Sequence, residues 1–556
     1  MFIDFEGIDG SGKTTLLEVV AGKLEALGIS VYNTRRKGEY KSRIGKALRK
    51  VSRSPKNLGL LPWAEFLVYM ARDAQVFEER ILPHLSAGNA VIADRFFYSH
   101  VLLAAARGLP VERTGAIMEQ VSGGVLPDLV VYCDVDIHTS RVRKKIADII
   151  EYDDGDFGRK GLTGIGVRNR MRGGFLELAE SDPDRWVTVE NVGVTQEDIS
   201  EYVWQVVSKK LAEKGLLKTE EAASEIVTPK VFEPKISAGL ELPEDVDKLV
   251  GEFYAILDKY VDVDDRISAY HINGVDMPQA DRLRGKLKEK QPTIIAYGLQ
   301  NVNTDTAWAL RRELAEREPR YVARSLAGMP LEGDALDLRM ALKDVVPKAV
   351  AKSLKDFECE TSINLRRELF DTAPEGVLMS LKGFDTDWAW ELRNKCGKKF
   401  CAEALAESLS KIDTPKAWKI RKKLLGKNSA WVLRGLGPLE SDEAWDLREK
   451  FVDIASKLIA RSLNGLDSDR AHDMRERIGD LAKDVLDSLK KLESPRAWEI
   501  REKLKDVFPS TAVSSLGKLN DSEKAWAFRE KMAACYPGDL LLLKHIVESL
   551  WRTGKL

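Results

Sequence analysis

Residues 2–15, Phe2-Ile3-Asp4-Phe5-Glu6-Gly7-Ile8-Asp9-Gly10-Ser11-Gly12-Lys13-Thr14-Thr15, decide the fold of the N-terminal part of this chain. A short apolar-rich run (2–5) predicts a strand, and the pattern GxxxxGK[ST] follows at once over 7–14. A helix is expected to begin at Thr14. That order of strand, glycine loop and helix is what phosphate binding demands. The glycines let backbone N–H groups turn toward phosphate oxygens, and the helix N-terminus adds a favourable dipole. Lys13 then reaches the β- and γ-phosphates, and the Thr14 hydroxyl can ligate magnesium. A glycine-rich turn preceding an ordinary helix is the bland alternative, and the Lys-Thr-Thr sequence argues against it.

Working outward, β-rich runs at 2–6, 30–35, 90–95, 128–135 and 185–191 alternate with helical stretches up to about Gly215. This alternation predicts a parallel sheet with helices on both faces, an α/β P-loop NTPase fold over residues 1–215. Asp94-Arg95 closes the third run and Ser99 follows. A carboxylate at the C-terminal end of a strand beside the phosphate loop suits magnesium or its waters, and Arg95 suits an acceptor phosphate. Between 159 and 172 stand Arg159, Lys160, Arg168, Arg170 and Arg172, with Gly161, Gly164 and Gly166 among them and no acidic residue. Such a segment reads as a basic flap able to close over phosphates.

These pieces together resemble the thymidylate kinase family. The likeness rests on FEGIDGSGKTT, LVYMARDAQVFEERILPHLSAGNAVIADRFFYS, ARGL at 106–109, LPDLVVYCDVD at 126–136 and RNRMRGGFLELAESDPDRW at 168–186, and it spans about residues 1–205. The resemblance implies an ATP- and Mg2+-dependent nucleoside monophosphate kinase, with dTMP as the first choice of acceptor. It implies that Asp9 faces the sugar 3′-hydroxyl and that Arg95 holds the monophosphate. Because Gly10 stands where some members carry arginine, it also implies a catalytic arginine from the lid, with Arg159 and Arg168 as candidates beside Lys13. The ATP-binding candidates are Gly7, Gly10, Ser11, Gly12, Lys13, Thr14, Thr15 and Arg143, and the metal candidates are Thr14 and Asp94.

Departures from the family pattern bear on the acceptor. Arg35-Arg36-Lys37-Gly38-Glu39-Tyr40 replaces Arg-Glu-Pro-Gly-Gly-Thr, retaining the arginine as Arg35 without the adjacent carboxylate. Tyr69 aligns with the base-stacking aromatic. The thymine-reading arginine aligns with Asp73, while Arg72 lies one position earlier, and Leu103-Ala104 replaces the usual Tyr-Gln. An aspartate facing the base would favour an amino group or ring N–H, whereas Arg72 turned inward would accept thymine. The substrate-binding candidates are Asp9, Arg35, Tyr69, Arg72, Asp73, Arg95 and Ser99.

Beyond 216 the grammar changes. Residues 216–245 are rich in Lys, Glu and Thr with isolated prolines, and read as a linker. From 246 to 556, Ala-Trp-x-Leu-Arg or a variant recurs at intervals of 26 to 28 residues from Arg284 to Arg529, giving about ten repeats of about 27 residues. Cap signatures such as Asp413-Thr414-Pro415 and Glu493-Ser494-Pro495 open a first helix. Trp418 and Arg421, three apart, should pack indole on guanidinium. A Ser-Leu pair about fourteen residues on (Ser325, Ser353, Ser380, Ser408, Ser462, Ser488, Ser515) marks a second helix, its small residue allowing a neighbour to approach. Two short helices per repeat predict an all-α solenoid. The repeated Trp and Arg read as the ladder holding the stack together rather than as a binding groove.

At 556 residues the chain exceeds one core. Lys plus Arg (87) nearly cancels Asp plus Glu (88), so no general field gathers nucleic acid or anionic membrane, and a nucleic-acid partner is not expected. Cys133, Cys359, Cys396, Cys401 and Cys535 form no CxxC pair, which suits a reducing cytoplasm. No apolar run is long enough to span a bilayer. The resemblance implies a homodimer through the N-terminal domain. The repeats imply a protein partner or self-assembly. A rival reading makes the kinase-like domain a nucleotide-gated scaffold, and another gives the kinase a different nucleoside monophosphate.

Overall fold

The computed structural model describes residues 1–37, 42–53, 60–150, 165–217, 226–237, 245–396, 402–479, 483–517, 519 and 522–552. Two compact units divide the chain. The first runs from Met1 to Glu233 apart from a short segment beginning at Ile146, and the second takes that segment with the residues from Pro234 onward.

In the first unit β1 (Phe2–Glu6) leads through the glycine loop into α1 (Lys13–Ala26). β2 (Val31–Asn33), α2 (Thr34–Lys37), α3 (Arg43–Arg53) and α4 (Pro62–Val76) follow, and then α5 (Leu82–Ser86) leads to β3 (Ala90–Asp94). α6 (Tyr98–Ala106) and α7 (Val111–Ser122) precede β4 (Leu129–Asp134) and α8 (Ile137–Ile150). α9 (Ile165–Ser181), β5 (Trp186–Glu190) and α10 (Gln196–Glu213) complete the unit. The five strands are parallel in the order β2-β3-β1-β4-β5. β1 is central, paired Phe2 to Val91 on one side and Ile3 to Leu129 on the other. Burial on both faces explains why β1, β3 and β4 read as nearly continuous apolar runs. Ile3, Phe5, Val131 and Val189 pack with Leu17, Val20 and Leu24 of α1 and with Ile199, Val203 and Leu211 of α10 in one core.

Every regular element among the described residues of the second unit is a helix, and the unit is an all-α solenoid of paired helices. Hairpins such as Asp305–Leu314 with Pro319–Ser325, Glu360–Leu369 with Pro374–Ser380, and Pro495–Leu504 with Pro509–Ser515 succeed one another. Proline at the first position starts many of these helices, where its missing N–H costs nothing. Thr304, Thr414, Ser494 and Ser522 accept the N–H three residues on as side-chain caps.

The arginine of each hairpin is its keystone. Arg311, Arg339, Arg366, Arg448, Arg501 and Arg529 are fully buried. Arg311 donates to the carbonyls of Leu299 (2.6 Å) and Val302 (2.8 Å) in the turn before its helix, and to Ser325 Oγ (3.2 Å) on the second helix. Arg366 repeats the scheme with Leu354 O (2.6 Å), Phe357 O (2.9 Å) and Ser380 Oγ (2.9 Å). One guanidinium thus closes a turn and ties two helices, satisfying carbonyls that the short helices leave orphaned. A side chain so enclosed cannot line a groove. Tryptophan packs on it as expected, Trp308 over Arg311 at 4.4 Å and Trp418 over Arg421 at 4.7 Å. The serine does more than admit a neighbour: Ser325 Oγ accepts from Arg311 while donating to Val322 O at 2.8 Å.

The stretch read as a linker is fastened where it is described. Val227 N–H donates to Gln205 Oε1 (2.9 Å) and Phe232 N–H to Gly193 O (2.7 Å) within the first unit. Ile236 N–H donates to Pro537 O (3.1 Å) within the second. The stretch contributes only backbone N–H groups to these bonds, so no side-chain periodicity announces them.

Candidate active site

The site lies where the C-terminal ends of β1 and β3 meet the start of α1, the crevice in which open parallel sheets place ligands. The loop that links β1 to α1 turns on Gly7 (φ 140°), Gly10 (φ 81°) and Gly12 (φ 87°). A Cβ on Gly10 would run into the backbone of Ser140, and one on Gly12 into Asn191, so close approach demands glycine there as much as φ does. Neighbouring side chains brace the loop from behind: Ser140 Oγ donates to Asp9 O (2.6 Å) and Asn191 Nδ2 to Ser11 O (2.8 Å). Arg143 reaches the same layer, donating to Asn191 O at 2.8 Å.

Lys13, only 5% exposed, donates from Nζ to Ile8 O (2.9 Å) and Ser11 Oγ (3.3 Å). Burial, aided by the Arg95 charge, lowers its pKa to about 8 against the pull of Asp94 and Asp9. An ammonium held in this way gains from any phosphate that arrives. Thr14 Oγ1 donates to Asp94 Oδ2 at 3.0 Å, so the two metal candidates are neighbours, and Thr34 Oγ1 accepts from Asp94 N–H at 3.1 Å. A hydroxyl and a carboxylate side by side are the hard oxygen donors that magnesium takes, usually with waters and substrate phosphates completing its shell. The donor set therefore fits. Arg35 pairs with Asp94 at 3.4 Å.

On the other side of the crevice Arg95 has φ 69°, a left-handed conformation that turns the chain sharply off β3. Its guanidinium meets Asp9 Oδ1 at 2.6 Å and donates to Ser99 Oγ at 2.8 Å. Ser99 in turn donates to Glu6 Oε2 at 2.5 Å, and Glu6 accepts the N–H groups of Phe96 (3.2 Å) and Ser99 (3.1 Å). Burial raises the Glu6 pKa, with Arg95 and these hydrogen bonds opposing.

The basic flap differs from its expectation. Arg159 and Lys160 lie outside the described residues, and Arg168, Arg170 and Arg172 belong to helix α9 instead of a loop. Arg168 comes within 3.8 Å of Asp9 Oδ2. Arg170 donates to Ala106 O (3.0 Å), and Arg172 forms a two-pronged pair with Asp134 (2.7 and 2.6 Å), so these two anchor the helix. The run had no internal signal separating anchoring from site arginines, because both kinds occur at helical spacing.

Tyr69, Arg72 and Asp73 gather around a residue the sequence reading missed, His100 of α6. Asp73 Oδ1 accepts from Arg72 Nη2 (2.6 Å), and Asp73 Oδ2 meets His100 Nδ1 (2.7 Å). Arg72 Nη2 approaches His100 Nε2 at 3.1 Å. The imidazole stacks on Tyr69 with centroids 4.5 Å apart, and the Arg72 guanidinium lies 5.3 Å from the same ring. With arginine donating to Nε2, the proton sits on Nδ1 and the ring is neutral. Burial lowers the His100 pKa accordingly, with Arg72 assisting and Asp73 opposing. Burial works to raise the Asp73 pKa, yet Arg72 and His100 outweigh it and hold the carboxyl ionised. Asp73 is spent on this network. Glu6, Ser140 and Asn191 were likewise unread, since each acts from a different element and carries no local motif.

A parallel sheet whose glycine loop, buried lysine and Thr-Asp pair converge in this way defines a P-loop phosphotransferase. A family model described as thymidylate kinase matches residues 5–199. A thymidylate kinase of Pelotomaculum thermopropionicum is 37% identical over 194 residues, covering 34% of this chain and 84% of that protein. One of Pelobacter propionicus is 34% identical over 215 residues, covering 38% of this chain and 95% of its own. The chain belongs to the thymidylate kinase family through its N-terminal unit, and that unit is a nucleoside monophosphate kinase domain. The solved thymidylate kinase of Ehrlichia chaffeensis is 24% identical, covering 37% of this chain and 97% of its own, with a TM-score of 0.29. No helix among the described residues is long and apolar enough to cross a membrane.

Proposed function

We propose that the first unit transfers the γ-phosphoryl group of ATP to dTMP, forming dTDP and ADP. The cluster of Tyr69, Arg72, Asp73 and His100 carries the choice of acceptor. An ionised Asp73 facing the base would repel the O4 of thymine, but here its oxygens are engaged by Arg72 and His100. With the Asp73 charge neutralised by Arg72, nothing among the described residues beside the Tyr69 ring repels a carbonyl oxygen. That pairing admits a base with carbonyl acceptors.

Phosphoryl transfer requires positioning and charge neutralisation more than covalent chemistry. Lys13 and the glycine-loop N–H groups would cradle the ATP phosphates, and Arg95 would bind the acceptor phosphate while Asp9 orients Arg95 and the sugar. Thr14 and Asp94 would hold Mg2+, which when bound supplies charge neutralisation across the phosphates. Arg168 stands within reach of Asp9 to approach the transferred group. The reading extends to a homodimer through this unit, where Trp63 and Leu67 of α4 stand exposed. Release of ADP, measured by a coupled assay across a panel of nucleoside monophosphates, should be fastest with dTMP and absent in Lys13→Ala. Turnover with no monophosphate in the panel, alongside clear ATP binding, would refute the reading.

A further inference from the structure

The second unit holds a separate concentration of phosphate-directed chemistry, at a place where its hairpin pattern is interrupted. In the hairpin of Arg421 the two helices run together as one, Pro415–Arg434, and Gly435 stands where the neighbouring hairpins have Ser408 and Ser462, fifteen and fourteen residues after their arginines. A Cβ there would stand 3.2 Å from both Ser410 Oγ and Ala406 O, so the serine side chain is replaced by close approach. Trp431 takes a position that Ala349, Gly376 and Ala404 hold in preceding hairpins.

Beside Gly435 opens a cavity of about 160 Å3 lined by Lys382, Glu407, Ser410, Trp431, Arg434 and Arg461. That is close to the ~150 Å3 of an engineered cavity that takes up one benzene. It has room for a small anionic group and little more, well below the volume of a pocket that encloses a whole ligand of drug size.

Its charge is uneven. Three cations and one carboxylate line it. Glu407, Arg434 and Arg461 hold the same place in three successive hairpins, each 27 residues from the next, so the stacking itself assembles them. Arg461 is steadied by Asp484 at 2.6 Å, and Arg434 lies over the Trp431 ring at 4.8 Å. Burial lowers the Lys382 pKa, with Lys355, Lys411 and Arg434 adding repulsion and Glu407 opposing. Burial likewise pushes Arg434 down to about 10 against Glu407, with Arg461 contributing. Like charges gathered against an indole wall are relieved by a bound anion, and the wall strengthens that attraction by excluding water. Ser410, 2% exposed, contributes a hydroxyl. The remaining carboxylate chooses among anions: Glu407 can accept a hydrogen bond from a protonated phosphate oxygen, which sulfate at neutral pH does not possess.

We propose that this cavity is a phosphate-binding site, taking inorganic phosphate or the terminal phosphate of a nucleotide. Since the glycine loop also attracts phosphate, the test uses the full chain carrying Lys13→Ala. Calorimetric titration at constant ionic strength should detect inorganic phosphate binding in that parent. Adding Lys382→Gln or Arg461→Gln should weaken it at least tenfold, and Lys382→Arg should largely retain it. Sulfate should bind at least tenfold more weakly than phosphate, and Glu407→Gln should narrow that difference. The Lys382-dependent part of ADP binding separates the sources: tighter than phosphate indicates a nucleotide, and equal or weaker indicates the free ion. Unfolding midpoints without phosphate confirm that each variant is folded. Equal phosphate affinity in the parent and in folded Lys382→Gln, or no binding of either probe to the parent, overturns the proposal.

Discussion

Lys13 illustrates how one residue's surroundings prepare it for a ligand. Its pKa of about 8 lies below the ordinary lysine value, because burial and Arg95 disfavour the charge. ATP phosphates should raise it again. At pH about 8.5 ATP binding should therefore take up a proton, whereas at pH about 6.5 Lys13 is already charged and uptake should vanish. Calorimetry in two buffers of different ionisation enthalpy measures this. Uptake at the higher pH that persists in Lys13→Met would show that another group is responsible. His100 acts at one remove, as a positioning residue for Arg72. His100→Phe keeps a ring against Tyr69 but releases Asp73, so KM for dTMP should rise about tenfold while KM for ATP and the folded signal stay unchanged, a cost of about 1.4 kcal/mol. An equal loss for both substrates would reduce His100 to a structural role.

At the scale of the helical hairpin, stability rests on a polar keystone inside an apolar stack. Arg448 is fully buried and gives bonds to Leu439 O (2.7 Å), Ser462 Oγ (3.1 Å) and Ser462 O (2.9 Å). Its pKa is pushed down to about 10, which leaves it charged at neutral pH. Arg448→Met would strand those acceptors and should cost about 3 kcal/mol, and Ser462→Ala about 1 kcal/mol. Denaturant unfolding of the full chain reads both. Arg477, paired with Glu449 and Asp453 on the surface, serves as the control, and its replacement by Met should leave the unfolding curve unmoved. The hairpins are also joined to each other. Trp445 is flanked by Arg448 and by Arg470 of the following hairpin, each 4.6 Å from its ring. Asp467 binds both His472, which stands in a tryptophan position, and Ser494 of the next cap. A residue needed in every hairpin is thus needed by the interface all hairpins share.

At the scale of the whole molecule the five-stranded sheet and the core that backs it use only residues up to Leu217. A fragment ending at Glu233 should fold and retain acceptor-dependent turnover, checked by circular dichroism and the coupled assay; an insoluble fragment would mean that the second unit is required for folding. From sequence alone the glycine loop, its strand and helix, the sheet class and the recurring Trp-Arg spacing were all legible, since each is a local pattern with a fixed period or motif. Contacts between distant segments were not. The bracing of Asp9 by Ser140, the approach of Arg72 to His100 around Asp73, and the bracing of Ser11 by Asn191 join residues 131, 28 and 180 positions apart. Only packing decides which of several arginines faces a phosphate and which, like Arg172, spends itself on a carboxylate. A periodic sequence specifies elements because its information repeats along the chain, whereas a site is assembled from side chains that meet only once the sheet and the stack have formed.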